Sequence, residues 1–128
     1  MKEPMSVEES RKTIVLDFDG VLHDYDEWQG PTTIQGGPVS GAVEFVWWLK
    51  EHGYSFYVLS VRAAHKGGKE AIREWLNHWG FPPNIDVSST KTGGALYIDD
   101  RAFRFEGDFD EVMNWLAEHP NPGRWGLK

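Results

Sequence analysis

Cysteine is absent from all 128 residues. Its absence removes three options at once: a disulfide scaffold, a thiolate metal site and a cysteine nucleophile. It fits a reducing compartment, and a cytoplasmic location is the expectation. Long apolar runs are missing too. No stretch approaches the roughly 20 apolar residues that a membrane span needs. The opening residues, MKEPMSVEESRK, lack the apolar centre of a signal peptide. The five histidines include no HExxH or similar pair. Positive charge is scarce: 13 Lys and Arg stand against 20 Asp and Glu, a net charge of -7. Non-specific binding to duplex nucleic acid works by neutralising phosphates, so this balance disfavours it, although a local basic patch stays open. No repeat, low-complexity block, linker or obligatory protein partner is evident.

What is present is one domain's worth of alternating structure. Residues 1–12 read as a flexible tail and 13–128 as a single domain. KTIVLDF is a short apolar run with the β-branched Ile14 and Val15, and it predicts a buried strand. Residues 20–40, rich in Gly, Pro, Thr and Asp, predict a loop or flap. SGAVEFVWWLKEHG predicts a helix capped by Ser40 and ended at Gly53 in a left-handed turn. YSFYVLS is a second strand. KEAIREWLNHWG is a second helix, with Ala71, Ile72, Trp75, Leu76 and Trp79 on one face and a stop at Gly80 and Pro82. IDVSS is a short third strand and GALYIDD a more convincing fourth. DFDEVMNWLAEH is a third helix. Asp108 and Glu111 sit at capping-box spacing, and Phe109, Val112, Met113 and Leu116 form its stripe. GRWGLK is read as a last edge strand.

Strands alternating with helices imply an α/β fold: a three-layer, Rossmann-like parallel sheet with helices on both faces. Ligands of such sheets bind beyond the carboxyl ends of the strands. The first strand ends at Asp17 and Asp19, the second at Ser60, and the last clear one at Asp99 and Asp100. Residues distant in sequence should therefore meet on one rim. Four carboxylates there are costly, since two like charges at about 4 Å repel by roughly 4 kcal/mol at an effective dielectric of about 20. Either some stay protonated or a cation sits among them. With only hard oxygen ligands, Mg2+ is the expected ion, and a phosphorylated substrate follows. Asp17 and Asp19, two apart on an extended chain, can face one reacting group while Phe18 points into packing. One carboxylate can attack phosphorus. The other can protonate the leaving oxygen and later deprotonate water.

The run DFDGVL at 17–22 resembles the first motif of the haloacid dehalogenase superfamily of phosphohydrolases. Ser60 resembles its second motif, Lys91 its third, and YIDD at 97–100 its fourth. The resemblance spans residues 13 to about 118. It implies a Mg2+-dependent phosphatase that works through an aspartyl-phosphate. Asp17 would be the nucleophile, Asp19 the acid and base, and Lys91 the group that neutralises the phosphoaspartate. Gly20, Ser60, Val61, Arg62 and Arg101 would contact substrate. Asp17, the Asp19 backbone carbonyl, Asp99 and Asp100 would surround the metal, directly or through water. Of the two intervals that can carry a cap in this superfamily, residues 20–40 hold only a loop or flap and residues 61–90 one helix and a short strand, so the chain reads as capless. IDDR, and Ser60 followed by Arg62, also resemble the phosphatase half of polynucleotide kinase-phosphatases. The partner implied is a phosphorylated small molecule or a nucleic-acid end. A receiver-like phosphoacceptor domain and a non-catalytic binding module are the alternatives.

The remaining residues carry plainer expectations. Trp47, Trp48, Trp75, Trp79 and Trp115 lie in predicted helices and read as packing residues. Trp28, in the flap with His23, is open to stacking on substrate. His23 reads equally as a substrate contact or a surface histidine. HKGGKE reads as an ordinary flexible start to the second helix.

Overall fold

The computed structural model describes Ser6 and residues 12–121. The expected last strand at GRWGLK and nearly all of the expected N-terminal tail lie outside the described residues. Four parallel strands form one sheet: β1 (Thr13–Asp17), β2 (Ser55–Leu59), β3 (Val87–Ser88) and β4 (Leu96–Ile98), in the order β3-β2-β1-β4. Three α-helices accompany them: α1 (Ala42–Glu51), α2 (Gly68–His78) and α3 (Phe109–Glu118), with a 3-10 turn at Val61–Ala64. This is the α/β, Rossmann-like class that the sequence predicts, and no inserted domain interrupts the described residues.

β1 is central, paired on both sides, and its four leading residues are all buried. That is why TIVL reads as a continuous apolar run rather than an alternating one. Ile14 and Leu16 face a core shared with Val58 and Val87, and α1 covers it with Ala42, Val46 and Leu49. α2 adds Ile72, Trp75 and Leu76. The predicted stripe of α2 is therefore buried at Ile72, Trp75 and Leu76, half-buried at Ala71 and exposed at Trp79. Trp47 and Trp48 are exposed as well, contrary to their reading as packing residues. Trp47 donates to the Gly80 carbonyl at 2.8 Å, while Trp48 stacks on His52 at 4.1 Å between ring centroids. Their rings serve helix ends rather than the core.

Two helix ends differ from expectation in instructive ways. Ser40 does not cap α1; Gly41 occupies that position with φ at 86°, and no side chain caps the helix. The left-handed Gly53 ends it as predicted. The start of α2 is not a flexible approach. A Cβ at Gly68 would fall on the Arg62 carbonyl, so only glycine lets α2 pack this closely against the 3-10 turn. α3 is capped by Asp108, whose carboxylate accepts from the Asp110 N–H at 2.8 Å. Its expected apolar stripe contributes no buried residue.

Candidate metal and phosphoryl site

Register decides which side chains meet. Parallel pairing sets Leu16 beside Ile98 and Asp17 beside Leu59. Asp99, the residue after β4, therefore emerges level with Asp17, and Ser60, the residue after β2, lies one position further along at the same end of the sheet. One carboxylate oxygen from each of Asp17, Asp99 and Asp100 lies within 4.8 Å of the others. The predicted convergence of two acidic strand ends is thus present.

The electrostatics of this group are unfavourable without a counter-charge. Asp17 is pushed up to about 8, first by burial, then by the charges of Asp99 and Asp100, a hydrogen bond with Asp100 and the charge of Asp19. Asp99 Oδ1 accepts from the Arg101 N–H at 2.8 Å, an Asx turn that fixes its direction. Asp100 Oδ1 is buried and has no hydrogen-bond partner. A buried carboxylate oxygen left unpaired is costly. A Cβ on Gly20 would fall on the Asp100 carboxylate, and Gly20 has φ at 90°. Glycine is needed here twice, for the turn and for the room. An orphaned carboxylate oxygen, an Asp17 carboxyl pushed upward and an all-oxygen donor set fit a hard divalent cation such as Mg2+.

Asp19 belongs to a different constellation. Its two oxygens take a forked pair of bonds from Arg62, Nε to Oδ2 at 2.8 Å and an Nη to Oδ1 at 3.1 Å. His23 Nδ1 lies 2.8 Å from the same Oδ1. Burial pushes the Asp19 carboxyl up, but the hydrogen bonds from His23 and Arg62 and the Arg62 charge outweigh it, and the net shift is downward. The other His23 nitrogen, Nε2, meets the Gln35 carbonyl, which can only accept. Nε2 therefore carries a hydrogen, and Nδ1 either carries the second ring hydrogen or accepts one from Asp19. One hydrogen lies in the Nδ1–Oδ1 contact in both cases.

Arg62 is 1% exposed. Beyond Asp19, one of its terminal nitrogens donates to the carbonyls of Gly30, Pro31 and Thr33 at 2.9, 3.2 and 3.1 Å. The Trp28 ring lies over the guanidinium, 4.7 Å from its centre. The expectation that Arg62 contacts substrate does not survive this geometry. Its planar fork is occupied by one carboxylate and the flap backbone, and the burial leaves no approach. Trp28 correspondingly has a guanidinium on its ring. His23 is 3% exposed, so it is neither a surface histidine nor free to reach substrate. The spacing of four residues between Asp19 and His23 was the available signal, because a tight turn brings such positions together. That turn is built by the Leu22 and His23 N–H groups, both donating to the Phe18 carbonyl at 3.0 Å.

The other expected residues are more dispersed. Ser60 is buried and caps the 3-10 turn, its hydroxyl oxygen accepting from the Arg62 N–H at 3.1 Å. Val61 is exposed beside it. Lys91 lies in the loop before β4 with its ammonium 4.8 Å from the Tyr97 ring centre, and among the described residues it makes no ion pair with Asp17. Arg101 is exposed, and its backbone N–H donates to Asp99.

No family model and no curated protein matches the chain. Among solved structures it is similar to a conserved protein from Bacteroides thetaiotaomicron, with a TM-score of 0.53 and 24% identity over 84% of this chain and 90% of that one. A hypothetical protein from Pyrococcus horikoshii OT3 also aligns, with a TM-score of 0.39 and 24% identity over 84% of this chain and 30% of that one. The first likeness bears on the fold.

Proposed function

We propose that the chain is a capless phosphatase of the haloacid dehalogenase type, hydrolysing a phosphomonoester through phospho-Asp17. The observation that carries this reading is the meeting of Asp17 with Asp99 and Asp100 at the carboxyl ends of two adjacent parallel strands. Asp17, Asp99 and Asp100 would hold Mg2+, which when bound supplies the positive charge that lets Asp17 ionise and offsets that of the phosphoryl oxygens. An Asp17 oxygen attacks phosphorus, and the bond to the ester oxygen breaks. Asp19 gives a proton to that oxygen, then takes one from water. The water oxygen displaces Asp17 and releases inorganic phosphate. Held by Arg62, Asp19 is ionised, the state in which it takes a proton from water. It enters the first step carrying the proton that it gives to the ester oxygen and regains one from water in the second; Arg62 and His23 favour the ionised form in between.

Substrate is a phosphorylated small molecule or a nucleic-acid end. With Arg62 buried, the case for a polynucleotide rests on the IDDR likeness and exposed Arg101 alone. The decisive experiment compares the wild-type chain with Asp17→Asn on an aryl phosphate, with Mg2+ and with a chelator. The expected result is phosphate release only by the wild type with Mg2+. Full release by the Asn variant overturns the proposal.

A further inference from the structure

Asp19 is not free to choose its own orientation. Two side chains from different parts of the chain grip both of its oxygens, and neither reaches Asp17, Asp99 or Asp100 through any described contact. Arg62 comes from the turn after β2, 43 residues on, and His23 from the turn after β1. The same two side chains also hold the flap. Arg62 binds the carbonyls of residues 30, 31 and 33, and His23 binds that of residue 35. Phe18 stacks on His23 from one side at 5.5 Å, and Trp75 meets the ring edge-on at 5.5 Å, leaving the imidazole no room to turn.

From this geometry we infer that His23 and Arg62 are positioning residues for Asp19. They form a clasp that sets the acid and base relative to the nucleophile and ties that setting to the flap. The inference rests on the phosphatase reading and adds to it two residues that touch neither substrate nor metal. Proton donation matters most for a poor leaving group. An alkyl phosphate expels a strongly basic alkoxide, whereas a dinitrophenyl phosphate expels an anion that needs no proton. Misplaced Asp19 therefore slows the first ester selectively, while general damage to the site slows both.

Two near-isosteres of histidine separate the two bonds of the ring. In His23→Asn the amide nitrogen takes the place of Nδ1 and retains the bond to Asp19. In His23→Gln it takes the place of Nε2 and retains the bond to the flap. Both variants and the wild type are assayed with Mg2+ on an alkyl and a dinitrophenyl phosphate, with circular dichroism as the folding control. A positioned general acid contributes roughly 10²–10⁴-fold, so His23→Gln should lose about 10-fold or more in kcat on the alkyl ester. On the dinitrophenyl ester it should stay within about 3-fold, with KM little changed on either, because rates there do not depend on the acid. His23→Asn should recover most of the alkyl activity. Equal losses on both esters by folded His23→Gln, or better alkyl activity in His23→Gln than in His23→Asn, overturn the positioning role and leave the phosphatase reading standing. A wild-type chain that cleaves neither ester overturns that reading, and this inference with it. If both variants fail to fold, the same two esters are read with Arg62→Lys, which keeps the charge and loses the fork. A loss confined to the alkyl ester supports the clasp and an equal loss on both overturns it.

Discussion

The two halves of the sheet are built to different standards. Residues 13–88 supply every member of the buried apolar cluster, with α1 and α2 laid across β1, β2 and β3. Residues 96–118 supply none of its fully buried members. β4 exposes Leu96 and Tyr97, and α3 exposes Phe109, Met113 and Leu116. Yet the acidic site draws on both halves, Asp17 from the packed one and Asp99 and Asp100 from the open one. A cation shared by the three would tie the open half to the packed half where little apolar burial does so. Such an ion would contribute to the fold as well as depend on it.

The largest effect is expected in the packed half. Arg62→Met removes a buried guanidinium and leaves Asp19 with His23 alone, its ion-pair partner lost, and three flap carbonyls short of a donor. Breaking a buried ion pair from one side costs about 3–5 kcal/mol. Urea unfolding measures it, and a loss under about 1 kcal/mol would show that the clasp is not what holds the flap.

A smaller effect, of opposite sign, is expected at the junction. Asp17 titrates near 8 when folded against 3.8 ordinarily, so between those values the folded chain holds a proton that the unfolded chain has released. Stability is then fully present below about 4 and falls as pH rises towards 8. Asn cannot ionise and escapes this loss. In chelator at pH 8, Asp17→Asn should be more stable than the wild type by at least about 2 kcal/mol, and the advantage should vanish by about pH 4. Adding Mg2+ should raise the wild-type melting temperature and leave the variant nearly unmoved. Parallel pH profiles for the two proteins would show that the carboxylates do not strain the junction.

Gly20→Ala tests the same junction by shape. The added Cβ meets the Asp100 carboxylate and must also accept φ near 90°. A backbone strained in this way costs about 1–3 kcal/mol. The expected outcome is a loss near 2 kcal/mol in chelator and a weakened thermal response to Mg2+. A variant that keeps the full Mg2+ response would place the cation elsewhere than against Asp100.

Much of this was legible in the sequence, because strands and strand ends announce themselves locally. A β-branched run marked β1, an apolar run with two aromatics marked β2, and carboxylates at two strand ends pointed to the rim where they meet. The illegible part is pairwise. Nothing in SVR distinguishes an arginine aimed at substrate from one buried under a flap, since the difference lies in three carbonyls about 30 residues earlier. His23 is hidden for the same reason: its burial depends on Phe18 and Trp75 closing around it. Gly68 looks like flexibility and is a close packing contact, which only the approach of the Arg62 carbonyl reveals. The stripe on α3 erred in the other direction. Periodicity reports that a helix has an apolar face, and not whether another element covers it.

The smallest expected effect probes that exposed stripe. Phe109 is 71% exposed and Met113 59% exposed. Truncating a side chain that buries little removes little, because the transfer term scales with the area withdrawn from water. Phe109→Ser and Met113→Ser should each change stability by no more than about 0.5 kcal/mol, the range of ordinary surface substitutions. Asp108→Ala makes the internal reference, since loss of an N-cap that bonds the Asp110 N–H costs about 1 kcal/mol. Chemical denaturation of the three variants should therefore rank the cap above either apolar residue. If instead Met113→Ser costs more than the cap, the stripe is covered in solution, and the contrast between a packed and an open half disappears.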